Sequence, residues 1–255
     1  HIQHFQAKYP HSFFTQFKIA GQNPKLKKPK KPNGDLDTAL QVYHYRKEYW
    51  DNVDLNDGRL LRTPVFHNKM ENYITKITPQ TADSVVKYAD WLSRAVMKNK
   101  ELFKYAVNWI ATNYQKPKFM GDDAVYVHMI DNFFTPQLAF WAKKEDLDAL
   151  KRDADKKRVS LVGNQGQDLR CKDFNGNYVN LFDSKKPVLL IYFFDPECTN
   201  CQKETPELHK LYLEMIDDVD VFAMCTHHKL EICEYYKKKE GLTWTNVHDL
   251  SLIHI

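Results

Sequence analysis

The sequence predicts an α plus α/β chain, with a helical N-terminal domain over residues 1–162 and an α/β domain over residues 163–255. Two observations predict this division. Apolar residues recur at helical spacing in the first part, whereas short β-forming runs alternate with helical segments in the second. The net charge also changes sign, from +9 in residues 1–162 to −5 in residues 163–255. We therefore place a domain boundary near Val162.

The composition excludes several classes of protein. With 255 residues, 43% of them hydrophobic, the chain can build a packed core, which excludes collagen-like and wholly disordered proteins. No apolar run approaches the ~20 residues that span a bilayer. The sequence begins at His1 without a basic and apolar leader, so we expect any signal peptide or membrane tether to lie outside this chain. Five cysteines are too few for a disulfide-framed scaffold.

The first predicted elements are rich in aromatic residues. A stripe at helical spacing predicts one helix that Gly21 ends; it comprises Phe5, Tyr9, Phe13, Phe14 and Phe17. Asp37 is predicted to cap a second helix through Trp50. Its candidate inward residues are Leu40, Tyr43, Tyr45 and Trp50.

Between these helices, residues 25–32 contain five lysines and two prolines. Such a segment could bind nucleic acid or anionic lipid. The prolines break regular structure, however, and no aromatic residue is interleaved to stack on a base. We therefore predict a solvated Lys/Pro linker over residues 21–36 and no nucleic-acid partner.

The remaining helices of the first part follow the same periodicity. A segment over residues 57–77 is interrupted near Pro64, and Pro79 is expected in the first turn of the next helix. The apolar positions of that helix are Val85, Tyr88, Ala89, Leu92 and Val96. Further helices are predicted at residues 101–114, 122–134 and 144–158. The aromatic residues predicted to lie in the core are Tyr105, Trp109, Tyr126, Phe133, Phe134 and Trp141.

The pattern changes after Gly163. Two alternating segments flank Asn175-Gly176-Asn177 and predict a β-hairpin over residues 169–181. The continuous apolar run at residues 187–194 is typical of a strand buried on both faces. The remaining segments are a helix at 203–215, a strand at 219–225, a helix at 230–239 that Gly241 ends, and a strand at 244–247. This alternation predicts a parallel sheet.

One motif contains side chains that can take part in a chemical reaction. Cys198 and Cys201 follow a predicted strand and stand at the start of a helix, so both sulfur atoms can meet within one helical turn. The unpaired N–H groups of a helix N-terminus stabilise a thiolate at the first cysteine. Cys198 is therefore predicted to be the nucleophile and Cys201 the resolving thiol.

Two other interpretations of this pair remain open. The thiols could form an inert structural disulfide, or half of a zinc site completed by Cys225, His227 or His228, although no second Cys-x-x-Cys is present. The three other cysteines are predicted to be small apolar packing residues; they are Cys171, Cys225 and Cys233. His227 and His228 could modulate the thiolate, but we favour surface polar residues.

The segment Tyr192-Phe-Phe-Asp-Pro-Glu-Cys-Thr-Asn-Cys-Gln-Lys-Glu-Thr-Pro206 resembles the active site of thioredoxin-fold proteins, in particular the TlpA/ResA-like thiol-disulfide oxidoreductases. The resemblance covers residues 163–249 and implies a thioredoxin-like domain. It implies supporting roles for Glu204, Pro206, which would kink the helix, Phe194, which replaces the usual tryptophan, and Pro196.

The first part also resembles a family. Residues 45–55 and 59–65 are similar to the helical domain of unknown function that precedes thioredoxin modules in Bacteroidota-type envelope proteins. This resemblance implies a periplasmic or cell-envelope location. It implies no activity for the helices.

The two resemblances together imply thiol–disulfide exchange on envelope-protein disulfides, with the dithiol acting as a reductant. The expected partners are disulfide-containing protein substrates and an upstream thiol reductant, with no metal and no organic cofactor. The alternative is a non-catalytic binding module, in which the aromatic-rich helices bind a partner and the thioredoxin part is a scaffold.

A complete thioredoxin fold continues to a cis-proline and two more strands. Here the last proline is Pro206, and only residues 250–255 follow Asp249. We therefore expect a C-terminally incomplete domain with an exposed sheet edge, which keeps a reactive Cys198 but turns over disulfide substrates poorly.

Overall fold

The computed structural model describes residues 2–248, with side chains from residue 5 onward. The chain divides between Gln165 and Gly166 into two compact units. Residues 249–255, on which the expectation of an incomplete C-terminus partly rests, lie outside the described part.

The first unit is helical. Its α-helices are α1 (Ile2–Lys8), α2 (Phe13–Ala20), α3 (Thr38–Glu48), α4 (Pro64–Asn72), α5 (Ala82–Ala95), α6 (Lys100–Gln115), α7 (Asp123–Phe133) and α8 (Lys144–Arg158). A 3₁₀ turn, Gly58–Arg62, precedes α4, and a π-helical turn, Tyr73–Ile77, follows it. Asp37 caps α3 as predicted, because its carboxylate accepts a hydrogen bond of 2.9 Å from the Leu40 N–H. The lysine-rich segment forms no helix and is largely exposed.

The core of the first unit forms mainly on α5, α6 and α7. Val85, Ala89 and Leu92 are buried on α5, which confirms the apolar face of that helix. The Tyr49 ring stacks on the Tyr73 ring at 5.7 Å, and the Trp50 ring meets Tyr73 edge-on at 5.5 Å. Tyr126, Phe133 and Phe134 lie in this core, and Trp109 and Trp141 pack against it.

Several predictions for the first unit are wrong. The first helix is broken into α1 and α2 around Pro10, since proline has no N–H to donate to a helix. Pro79 lies before α5, which Thr81 caps. Three side chains predicted to face inward are instead exposed: Leu40, Tyr43 and Tyr105. Phe5, Tyr9 and Phe14 of the aromatic stripe are also exposed.

Within the described residues, the second unit contains a mixed five-stranded sheet, so the predicted parallel arrangement applies to only part of it. Its strands are β1 (Arg170–Asp173), β2 (Tyr178–Asn180), β3 (Val188–Phe194), β4 (Val219–Cys225) and β5 (Thr245–His248), in the order β2-β1-β5-β4-β3. Strands β3, β4 and β5 are parallel, and β1 is antiparallel to both β2 and β5. The predicted hairpin forms with Gly176 at φ +86°, a conformation that glycine adopts without steric cost.

Strand β3 is not buried on both faces, contrary to the prediction. Within the described residues it lies at the edge of the sheet and pairs only with β4. Val188 and Phe193 are each more than half exposed, and only Phe194 at its carboxyl end is fully buried. An apolar run therefore identified the strand but not its place in the sheet.

The described part of the second unit also contains two α-helices, α9 (Thr199–Glu214) after β3 and α10 (Leu230–Glu240) after β4. Gly241 ends α10 at φ +65°, as predicted. The main core of this unit contains Phe194, Tyr212, Tyr236 and Trp244. No helix within residues 2–248 is both long enough and apolar enough to cross a membrane.

Candidate active site

The two thiols of the motif lie where β3 passes into α9. Cys198 is the residue that precedes the first turn of α9, and Cys201 lies within that turn. The connecting turn is fixed locally. The Cys198 N–H donates to the Asp195 carbonyl at 3.0 Å, and the Glu197 N–H donates to the Asp195 carboxylate at 2.9 Å. Gln202 Nε2 donates to the Pro196 carbonyl at 2.8 Å, which ties the helix back to the turn.

The surroundings of the two sulfur atoms shift their pKa values in opposite directions. Hydrogen-bonding interactions with the Cys201 N–H, the Cys201 thiol and the Asn200 N–H lower the pKa of Cys198, although none of them has full capping geometry. Burial raises the pKa of Cys201, and the neighbouring Cys198 raises it further. At neutral pH the thiolate therefore forms preferentially on Cys198.

The supporting residues named from the sequence lie in different environments. Phe194 is fully buried, and its ring stacks on the Tyr192 ring at 5.8 Å. Pro196 is buried in the turn before Cys198, whereas Glu204 is exposed on α9. Pro206 is exposed inside α9 and cannot donate the helical hydrogen bond to the Gln202 carbonyl. Of the four, Phe194 belongs to the core cluster against which Cys201 packs.

Sequence reasoning missed three residues that contact Cys201 or its helix. Tyr236 on α10 donates from its hydroxyl to the Cys201 carbonyl at 3.4 Å. The Tyr192 hydroxyl and Thr205 Oγ1 are 2.7 Å apart, and Thr205 is fully buried. Thr205 follows Cys201 by four residues and therefore lies on the same face of the helix. This proximity could have been predicted from the sequence spacing. Nothing in the sequence pairs Tyr236 with Cys201.

The histidines after β4 differ from the prediction. His228 is exposed as expected, but His227 is buried, with 4% of its surface accessible. Its Nε2 lies 3.6 Å from the Glu197 carboxylate, and Glu197 immediately precedes Cys198. The prediction of a surface residue is therefore wrong for His227, although Thr226 and His228 on either side of it are exposed.

The prediction that Cys225 and Cys233 only fill apolar space is also wrong. The two fully buried cysteines form a disulfide between the end of β4 and α10. Cys171 is a buried packing residue of β1, as predicted. Within residues 2–248, no group of three or more His, Cys, Asp or Glu side chains is arranged to hold a metal ion.

Comparisons with known proteins describe the two parts separately. A family model described as a domain of unknown function, DUF5106, matches residues 7–162. A thioredoxin-like protein from Bacteroides caccae has a similar structure over 90% of this chain and 84% of its own, with a TM-score of 0.60 and 15% sequence identity. At that identity the match shows a shared fold. No curated protein matches the sequence.

Two shorter structures align with parts of the chain. A domain of a possible thiol-disulfide isomerase from Cytophaga hutchinsonii is 28% identical over 36% of this chain and 63% of its own, with a TM-score of 0.34. The thioredoxin domain of a thiol-disulfide oxidoreductase from Bacteroides vulgatus is 28% identical over 32% of this chain and 59% of its own, with a TM-score of 0.30. This chain spans less than two thirds of the length of either.

The family match covers more than half of the sequence, and the fold of the second part follows from its sheet, its helices and the Bacteroides caccae structure. The chain belongs to the DUF5106 family, and a thioredoxin-like domain with a Cys198-x-x-Cys201 pair accompanies its helical DUF5106 region.

Proposed function

We propose that this protein is a thiol–disulfide oxidoreductase, with Cys198 as the nucleophile and Cys201 as the resolving thiol. The observation that carries the proposal is the opposite displacement of the two thiol pKa values, lowered at Cys198 and raised at Cys201. Such a pair suits the two steps of thiol–disulfide exchange. The Cys198 thiolate can attack the substrate disulfide, while the Cys201 thiol stays protonated until the second step.

The first step is attack by the Cys198 thiolate on one sulfur of a substrate disulfide. A bond forms between Cys198 and that sulfur, and the substrate S–S bond breaks. The second substrate sulfur leaves as a thiolate and takes up a proton. The product is a mixed disulfide between Cys198 and the substrate.

The second step releases the substrate. Cys201 loses its proton and attacks the Cys198 sulfur, which displaces the remaining substrate sulfur as a thiolate that is then protonated. Overall, two electrons and two protons pass from the Cys198–Cys201 dithiol to the substrate. The protein is left with a Cys198–Cys201 disulfide, which an upstream dithiol returns to the reduced form.

The proposal includes a direction and a setting. We propose that the dithiol acts as a reductant of protein disulfides in the periplasm or cell envelope. Support for the setting comes from the resemblance of the sequence to envelope proteins and from the Cys225–Cys233 disulfide, because stable disulfides are typical of oxidising compartments. The proposal assigns no chemistry to the DUF5106 region.

The test is insulin reduction by the full chain, supplied with dithiothreitol as the upstream dithiol. The wild-type protein should accelerate precipitation of the insulin B chain, and Cys198→Ser should abolish the acceleration. Cys201→Ser should accumulate mixed disulfides with substrate that Cys198→Ser does not form. Cys171→Ala is the matched control, since it removes another sulfur of the same domain and should retain the activity.

The reduction potential of the wild-type protein tests the proposed direction of electron transfer. Equilibration with glutathione should place the Cys198–Cys201 couple near the roughly −270 mV of thioredoxin rather than the roughly −120 mV of DsbA. A value near the second figure would reverse the proposed direction. A folded wild-type protein no faster than Cys198→Ser would contradict the proposed activity and favour a binding role for the helices.

A further inference from the structure

A cleft in the helical unit lies between α3, the π-helical turn and α5. Its volume is about 320 Å³, and sites for small molecules measure roughly 300–1,000 Å³. Its lining consists of aromatic and basic residues and contains no Asp or Glu side chain. The basic residues are Arg46, Lys47 and Lys87, and none of them forms an ion pair with a carboxylate among the side chains that the structure describes. The cleft therefore has an uncompensated positive charge, which favours an anion.

Arg46 is fixed in position at this cleft. Its Nε donates to the Ile77 carbonyl at 3.1 Å, and its Nη1 donates to the Tyr88 hydroxyl at 3.0 Å. The guanidinium carbon also lies 5.1 Å from the centre of the Tyr88 ring. Nη2 makes no hydrogen bond with any residue in the described part of the chain. These contacts hold the guanidinium in place and leave the N–H groups of Nη2 free for a ligand.

Tyr73 adds a second donor to the same cleft. Only 3% of its surface is accessible, and its ring stacks on Tyr49 at 5.7 Å and meets Tyr88 edge-on at 5.8 Å. Its hydroxyl finds no hydrogen-bond partner among residues 5–248, although it is not fully enclosed, so it opens on the cleft that Tyr73 lines. Burial raises the pKa of Tyr73, whereas the nearby Arg46 guanidinium opposes that rise. A hydroxyl in so buried a residue normally has a partner.

The exposed part of the lining includes aromatic rings. Trp91 on α5 is 44% exposed, and its ring lies 5.9 Å from the Tyr73 ring. Tyr43 on α3 is more than half exposed. Uncovered rings of this kind can stack on a flat group of a ligand. The π-helical turn that begins at Tyr73 is a rare form of backbone that often occurs at functional sites.

We propose that this cleft binds a small aromatic carboxylate, whose oxygens accept from Arg46 Nη2 and the Tyr73 hydroxyl and whose ring packs against Trp91. Two donors match the two oxygens of a carboxylate. Lys47 and Lys87 are exposed and add positive charge at the opening, which raises the local concentration of anions. The site lies within the DUF5106 region, so its function does not depend on the thiol pair of the second unit.

The state of the two donors in the free protein favours such a ligand. Because Arg46 is already held by the Ile77 carbonyl and the Tyr88 hydroxyl, binding requires little further ordering of its side chain. The Tyr73 hydroxyl has no protein partner to give up. A neutral ligand of the same shape would leave the guanidinium partly desolvated without an anionic acceptor, so the site should discriminate against it.

Titration of the full chain with phenylacetate, followed by NMR signals of the ligand, tests the proposal. Phenylacetate combines one carboxylate with one ring, and we expect saturable binding with a Kd of about 1 mM or below, which is ordinary for a ligand of this size. Phenylacetamide keeps the shape without the charge, and acetate lacks the ring. Both should bind at least about tenfold more weakly. Absence of saturable phenylacetate binding, or equal affinity for phenylacetamide, would overturn the proposal.

Three substitutions assign the binding to the cleft. Tyr73→Phe removes only the unpaired hydroxyl, so it should keep the urea midpoint of the wild type and bind phenylacetate about fivefold more weakly. Trp91→Ala removes an exposed ring and should also weaken binding about fivefold. Arg46→Gln keeps a donor for the Ile77 carbonyl but has no charge, and its affinity should fall at least about tenfold.

Two control variants and a fold check complete the design. Lys76→Gln removes an exposed positive charge of the π-helical turn that does not line the cleft, and Phe119→Ala removes an exposed ring elsewhere in the unit. Both should keep the wild-type Kd. Equal losses in the controls, or an unchanged Kd in both Tyr73→Phe and Arg46→Gln, would overturn the proposal. If circular dichroism shows that Arg46→Gln does not fold, Tyr73→Phe and Trp91→Ala decide. Because phenylacetate contains no disulfide, a protein that fails to reduce insulin can still pass or fail this test.

Discussion

At the residue scale, the chemistry of the site depends on the different environments of two neighbouring sulfur atoms. Cys198 stands before the first helical turn, where N–H groups are available to a negative charge. Cys201 is partly buried, and burial disfavours its thiolate. The Cys201 thiol also donates toward Cys198, so the resolving residue contributes to the activation of the nucleophile.

This donation gives a prediction for position 201. Cys201→Ala removes the donor, whereas Cys201→Ser keeps an O–H donor at the same place. We therefore expect the midpoint of Cys198 alkylation against pH to be higher in Cys201→Ala than in Cys201→Ser. Below its pKa Cys198 is a thiol, so alkylation should slow as the pH falls through the midpoint in every variant. Rates are measured with iodoacetamide by peptide mass spectrometry, and equal midpoints in the two variants would show that the donor has no effect.

Residue roles could be predicted only where they follow from local spacing. The thiol pair could be found because its chemistry lies within four consecutive residues. His227 could not, because its contact with Glu197 joins two loops that are thirty residues apart. The Cys225–Cys233 bond was missed for a related reason: Cys225 ends an apolar strand and Cys233 lies within a helix, and at such positions a small packing residue is the ordinary interpretation.

At the element scale, helix ends determine much of the geometry of the first unit. Asn99 caps α6, because its side-chain oxygen accepts from the N–H groups of Glu101 and Leu102, each at 3.1 Å. Its amide nitrogen also donates to the Asn56 carbonyl at 2.9 Å. One side chain therefore stabilises the start of a core helix and fixes the segment before the 3₁₀ turn.

We predict that Asn99→Ala lowers the free energy of unfolding of the first unit by about 1–2 kcal/mol, the usual cost of losing a cap. Asn99→Asp should recover part of this loss, since the carboxylate still accepts from the helix but cannot donate to Asn56. Asn113→Ala, at an exposed position of the same helix, is the control. Urea unfolding measures all three, and a loss in Asn99→Ala no greater than that in Asn113→Ala would show that the cap does not stabilise the unit.

Periodicity predicted elements better than it predicted their surroundings. Helix α8 and strand β4 have the bounds that the sequence indicates, because each has a clear pattern and clear ends. The aromatic stripe at the N-terminus was assigned to one helix, although Pro10 interrupts it. The exposure of β3 depends on which strands flank it, and a run of apolar residues contains no information about its neighbours.

At the scale of the whole molecule, the two units have separate cores. The first core is formed by residues between Ala20 and Ala154, and the two cores of the second unit by residues between Cys171 and Val247. A unit with its own core can unfold on its own. The Cys225–Cys233 disulfide belongs to the second unit alone.

This organisation predicts that Cys225→Ala/Cys233→Ala destabilises one unit and spares the other. A disulfide that closes a ring this short stabilises a fold by about 2–3 kcal/mol, through its effect on the unfolded chain. In urea, hydrogen exchange followed by mass spectrometry should show earlier loss of protection in β4 and an unchanged transition in α5. Cys171→Ala tests whether loss of any buried sulfur has the same effect. A common shift of both units in the double variant would show that they unfold as one, because separate cooperative units cannot transmit the loss of a bond confined to one of them.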